Sequence, residues 1–158
     1  MFSTTLMIAA MTAASAADVS ESKQLAADGS VDISNVCGEV SIAGTNSEKV
    51  EVVGELEKNA ELSFTSNGRS ARIEIKQRDK RHDHDMCAVL RINVPAGARV
   101  DATTVSADLS AGSLKNEVEL VSVSGEIFLG AGARVVEATS VSGDVHVEGA
   151  GAELELET

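Results

Sequence analysis

Residues 121–151 read VSVSGEIFLGAGARVVEATSVSGDVHVEGAG, and within them SVSGE returns as SVSGD eighteen residues later. Upstream the same phrase stands as Val105-Ser106-Ala107-Asp108-Leu109, ahead of Val123-Ser124-Gly125-Glu126-Ile127 and Val141-Ser142-Gly143-Asp144-Val145. A second phrase keeps the same step, as Val100-Asp101-Ala102, Val118-Glu119-Leu120, Val136-Glu137-Ala138 and Leu154-Glu155-Leu156. Self-similarity at a fixed short period marks a repeat architecture, in which no unit closes a core alone and stacked units share one. Apolar and polar residues alternate within each phrase, and the phrases are rich in β-branched residues, so they read as short strands with one buried face.

These observations predict an all-β chain built as a single-stranded parallel β-solenoid with about eighteen residues per rung. Each SVSG would mark one corner, with Val105, Val123 and Val141 pointing inward in one stack and Gly125 and Gly143 permitting the bend. Looser copies lie upstream, at Val31-Asp32-Ile33, Val36-Cys37-Gly38-Glu39-Val40, Val50-Glu51-Val52 and Ile73-Glu74-Ile75. The copies that start at Val31, Val50 and Ile73 are separated by nineteen and twenty-three residues, Val36 follows Val31 by five, and Val100 comes twenty-seven after Ile73. One domain over 17–158 is therefore expected, irregular at 54–95 and strict at 96–158. Asn67-Gly68 is a hairpin turn signal that competes with a regular rung at Ile73. QRDKRHDHDMCA, at 77–88, reads as a projecting charged loop. A solenoid needs an end cap, and no cap is visible before Thr158. The expectation is a truncated C-terminus, or one completed by a partner or by end-to-end self-association through an uncapped last rung.

Composition narrows the function classes. The chain has 158 residues, a formal charge of −12, no Trp or Tyr and three Phe. Nucleic-acid phosphates would be repelled over most of such a surface. From Val100 to Thr158 eleven acids face two bases, whereas eight of the thirteen bases lie between Arg69 and Arg99. The first sixteen residues, MFSTTLMIAAMTAASA, are uncharged and end in a small-x-small triplet. That ending reads as a signal peptide over 1–16, although the basic start is missing, as a start codon assigned too far downstream would explain. The alternative is an apolar N-terminus packed in the fold. No later stretch is long and apolar enough for a membrane-spanning helix. Export implies an extracytoplasmic location, periplasmic, secreted or on the cell surface. There the two cysteines, Cys37 and Cys87, favour a disulfide. Two free thiols, or a metal role for one of them, are the alternatives.

The phrases NVCGEVSIAG, LRINVPAGARVDATTVSADLSAG and the SVSGEI/SVSGDV tandem, behind an apolar leader, resemble the bacterial putative-adhesin family of domains of unknown function. The resemblance covers residues 28–158. It implies an exported, right-handed single-stranded β-helix and brings no catalytic residues with it.

Stacking would set equivalent positions about 4.8 Å apart. Asp101, Glu119, Glu137 and Glu155 would then form one acid ladder, and Asp108, Glu126 and Asp144 a second. Two carboxylates at that spacing repel by about 0.9 kcal/mol in water and about 3.5 kcal/mol at an effective dielectric of 20. Either ladder is a solvated face or a site for divalent cations. The Gly-Gly-x-Gly-x-Asp calcium pattern is absent. His82 and His84, with Asp83 and Asp85, are candidate metal ligands, opposed by Arg78, Lys80 and Arg81 beside them. Ser106, Ser124 and Ser142 recur as a corner recurs and have no base in reach, which argues against a nucleophile. No cofactor is expected. The function expected is a non-enzymatic module that presents strand faces to an unknown envelope or surface partner. The alternatives are an envelope-stress or regulatory binding module, and a polysaccharide-active enzyme on a β-helix.

Overall fold

The computed structural model describes residues 17–81, 85–148 and 153–157. Among them eleven strands form one continuous sheet system. In chain order they are β1 (Ala17–Thr45), β2 (Lys49–Leu56), β3 (Ala60–Ser66), β4 (Gly68–Gln77), β5 (Ala88–Pro95) and β6 (Arg99–Gly112). The series continues with β7 (Glu117–Ser122), β8 (Ile127–Leu129), β9 (Val135–Ser140), β10 (Val145–Val147) and β11 (Glu153–Glu157). Among the described residues no helix is long and apolar enough to cross a membrane.

The fold is all-β, but it is a mixed sheet and not the single-stranded parallel solenoid that the repeat predicts. β1 pairs antiparallel with β2, β2 with β5, and β3 with β4. The cause lies in the uneven upstream spacing. Where the step departs from eighteen, the chain has enough slack to turn back on itself. Val50-Glu51-Val52 accordingly runs against its neighbours instead of forming a rung. At Asn67-Gly68 the local turn prevails. Gly68 has φ +89°, and Asn67 Oδ1 accepts from the amides of Arg69 (2.9 Å) and Ser70 (2.8 Å), so β3 and β4 close as a hairpin.

Parallel pairing is unbroken where the step is constant, and it also joins β1 to β4 and to β5. Val100, Val118 and Val136 lie in register across β6, β7 and β9, and Leu154 of β11 continues the row. The 29-residue β1 extends it upstream, with Val31 opposite Val100 and Val40 opposite Leu109. Inside, Val31, Ile33, Val40, Ile73, Leu90, Ile92, Val100, Leu109, Leu120 and Ile127 are buried in one aliphatic core. Each such side chain stabilises the fold by about 1.5–3 kcal/mol through burial.

The corners reverse one further expectation. Val105, Val123 and Val141 stack, but outward, with 46%, 44% and 70% of their surface exposed. The buried member is the residue before each valine, Thr104, Ser122 and Ser140, in register with one another and with the buried Asn35, which precedes Val36. The reason is hydrogen-bond satisfaction at a tight turn. Ser122 Oγ accepts from Gly125 N and Ser140 Oγ from Gly143 N, both at 2.9 Å, while Thr104 Oγ1 donates to the Ala107 carbonyl at 3.0 Å. A valine turned inward could do none of this. Gly125 and Gly143 are also needed for close approach and not for an unusual φ. A Cβ on Gly125 would collide with the Ala107 carbonyl, and one on Gly143 with the Gly125 carbonyl.

Candidate functional site

The corner divides the outside of the molecule into two faces of different chemistry. On the first, Arg72, Asp32, Asp101, Glu119, Glu137 and Glu155 follow one another across β4, β1, β6, β7, β9 and β11. The first acid ladder thus exists and runs one carboxylate further upstream, to Asp32. Arginines bridge much of it. Arg72 meets Asp32 at 3.1 Å; Arg99 lies 3.1 Å from Glu117, 3.5 Å from Asp101 and 3.9 Å from Glu119. Arg134 reaches the other oxygen of Glu117 at 3.5 Å. Burial pushes the Glu119 carboxyl above the usual carboxylate range, and the flanking charges of Asp101 and Glu137 push it further, with Arg99 pulling the other way.

On the second face the register carries Val89, Glu39 and Asp108 side by side across β5, β1 and β6. Glu126 and Asp144 continue the row, each standing just before the paired strands β8 and β10. Asp108 Oδ1 accepts from Glu126 N at 2.9 Å. Among the described residues, none of Glu39, Asp108, Glu126 and Asp144 takes part in an ion pair. Two positions further along, Arg91, Ser41, Ser110, Phe128 and His146 form the next outward row. The Phe128 and His146 rings sit 6.5 Å apart, tilted by 41°.

Ser106, Ser124 and Ser142 line the rim between the faces. Ser124 Oγ donates to the Val105 carbonyl (3.2 Å) and Ser142 Oγ to the Val123 carbonyl (3.1 Å). Those bonds tie one corner to the next and leave the hydroxyls as structural struts. Cys37 stands at the same position, opposite Ser106, and is joined to Cys87 by a disulfide. His82, Asp83 and His84 lie outside the described residues. Asp85 has φ +64°, and its backbone carbonyl accepts from Asn59 N at 2.8 Å. Among the described residues no cluster of three or more His, Cys, Asp or Glu is arranged to hold a metal.

The exposed valines and the unequal pairing of the two ladders escaped the reading of the sequence. One signal was available. The residue before each corner valine is always a hydrogen-bonding one (Asn35, Thr104, Ser122, Ser140), as a buried corner position requires.

No family model matches the chain. No curated protein matches it either. Among solved structures it is similar to a "putative cell adhesion protein" from Clostridium sporogenes, at 11% identity and TM-score 0.44, over 89% of this chain and 99% of that one. It is also similar to a "putative adhesin" from Parabacteroides distasonis, at 15% identity and TM-score 0.32, over 89% and 76%. A "putative lipid binding protein" from the same species aligns at 12% identity and TM-score 0.34, over 89% and 92%.

Proposed function

We propose that this chain is a non-enzymatic, extracytoplasmic binding module that presents its outer sheet faces to a partner at the cell envelope or surface. The observation that carries the reading is the pair of broad outward faces, each made of side chains in register at strand spacing. Such faces suit contact with another surface, since their chemistry repeats across many strands and is not focused on one point. The Cys37–Cys87 disulfide supports an oxidising compartment. The test is to fractionate cells that express the full chain, use the protein as bait against envelope fractions, and assay turnover on a panel of polysaccharides. The expected result is recovery outside the cytoplasm, saturable capture of an envelope component and no turnover. Catalysis on any member of the panel, or retention in the cytoplasm with reduced cysteines, overturns it.

A further inference from the structure

The exposed apolar side chains are not scattered. All six large hydrophobic residues that stand exposed among the described residues, Val53, Val89, Val105, Val123, Phe128 and Val141, lie on the second face or its corner. They flank the acid row from both sides. Val105, Val123 and Val141 run along the corner before Asp108, Glu126 and Asp144, Phe128 stands two positions after Glu126, and Val89 prolongs the row beyond Glu39. The first face has acids too, but arginines pair with Asp32, Asp101 and Glu119 there, whereas the acid row of the second face makes no ion pair among the described residues, and Val53, Val89 and Phe128 stand on the second face while the three corner valines border both.

From this asymmetry we infer that the second face docks a cationic, partly apolar polypeptide segment of another protein, with Lys or Arg set against Glu39, Asp108, Glu126 and Asp144 and aliphatic groups on the valine ridge and Phe128. The inference deepens the binding-module reading and rests on it. Charge complementarity selects the occupant. Neighbouring carboxylates about one strand spacing apart repel, and an incoming cation relieves that repulsion at several positions together. An anionic glycan or lipid headgroup would add to it. The five strands β5, β1, β6, β8 and β10 span about 19 Å at roughly 4.8 Å each, a width that six or seven residues of extended chain cover. The apolar flanks supply what an exposed ion pair alone does not, since such pairs contribute only about 0–1 kcal/mol each.

The probe is a fluorescein-labelled peptide of alternating Lys and Val with one Phe, ten residues long, titrated into the full chain and read by anisotropy. Its partners are a Lys-Ser peptide of equal charge and phosphatidylcholine vesicles. Saturable binding is expected to weaken at least tenfold in the combined Asp108→Asn, Glu126→Gln, Asp144→Asn variant, which keeps the Asp108 side-chain acceptor. A loss of at least threefold is expected in Val123→Ser with Val141→Ser. Asp101→Asn with Glu137→Gln on the first face should leave it unchanged, and circular dichroism of each variant checks that it is folded. Equal binding of the Lys-Ser peptide, equal loss from the first-face variant, no saturable binding, or preference for the vesicles overturns the proposal. An envelope component that binds the triple variant as well as the parent refutes this surface while the binding-module reading stands.

Discussion

Residues 99–157 and residues 49–95 are built from the same kind of strand, yet they are organised differently. In the first region the step is eighteen residues each time and the pairing from β6 through β11 is parallel. In the second the steps vary and the pairing is mixed: β2 runs antiparallel to both β1 and β5, and β3 and β4 close as a hairpin, while β4 and β5 pair parallel with β1. A constant step sets equivalent strands side by side in parallel register, as β6, β7 and β9 are. A variable step frees the chain to reverse, and local turn chemistry then decides its direction. What holds the two regions differs accordingly. Buried corner hydroxyls and close glycine contacts secure the first. The disulfide between Cys37 and Cys87 closes the second, with a separation of 50 residues.

The largest effect should come from opening that closure. Replacing Cys37 and Cys87 by Ser is expected to lower stability by about 4 kcal/mol, by loop-closure entropy for a separation of this size. Denaturant unfolding measures the loss, and hydrogen exchange should show it concentrated in β2–β5. If protection in β6–β9 falls equally, the two regions are not separately secured.

A smaller effect should mark the corners. Ser122→Ala removes the acceptor of a buried amide and is expected to cost about 1–3 kcal/mol. Val123→Ala, one residue along but exposed, should stay within about 0.5 kcal/mol of the parent. The same unfolding measurement checks both, and a reversed order would return the valine to the interior.

The smallest effect is electrostatic. Glu119 has its folded-state carboxyl raised above the unfolded value, so the native state holds that proton more tightly. Its contribution to stability therefore grows as pH falls through the raised value towards the ordinary carboxylate range, and is lost again as pH rises. The group is well exposed, with 42% of its side chain accessible, so the effect should be small. The difference in unfolding midpoint between parent and Glu119→Gln, followed from pH 7 to pH 4, should favour the variant slightly at neutral pH and vanish on acidification. A difference that is flat with pH would show that neither burial nor the charges of Asp101 and Glu137 raise the Glu119 carboxyl.

Much of the C-terminal third was legible because its signals are local and repeated. Period-two alternation within Val118–Leu120 and Val136–Ala138, and the common step between them, leave little choice of register. The acid ladders follow directly from that register. The corner misled because valine is a good core residue by type, and only the hydrogen-bonding demand of the Gly125 and Gly143 amides shows that Ser122 and Ser140 have the stronger claim to the inside. The arginine bridging of the first ladder was not readable either. Arg72 and Arg99 stand 40 and 67 residues from Asp32 in the chain, and only the folding of β4 and β6 against the two sides of β1 brings them to one face.

By itself the sequence determined an all-β chain, an eighteen-residue register, the ladders that this register builds, and an acidic surface. These depend on residue type and spacing, which act over a few residues and repeat. Tertiary structure decided the antiparallel pairings, the outward valines and which ladder arginines bridge in part. Each depends on which distant groups meet, and on whether a buried amide or an exposed carboxylate finds a partner there.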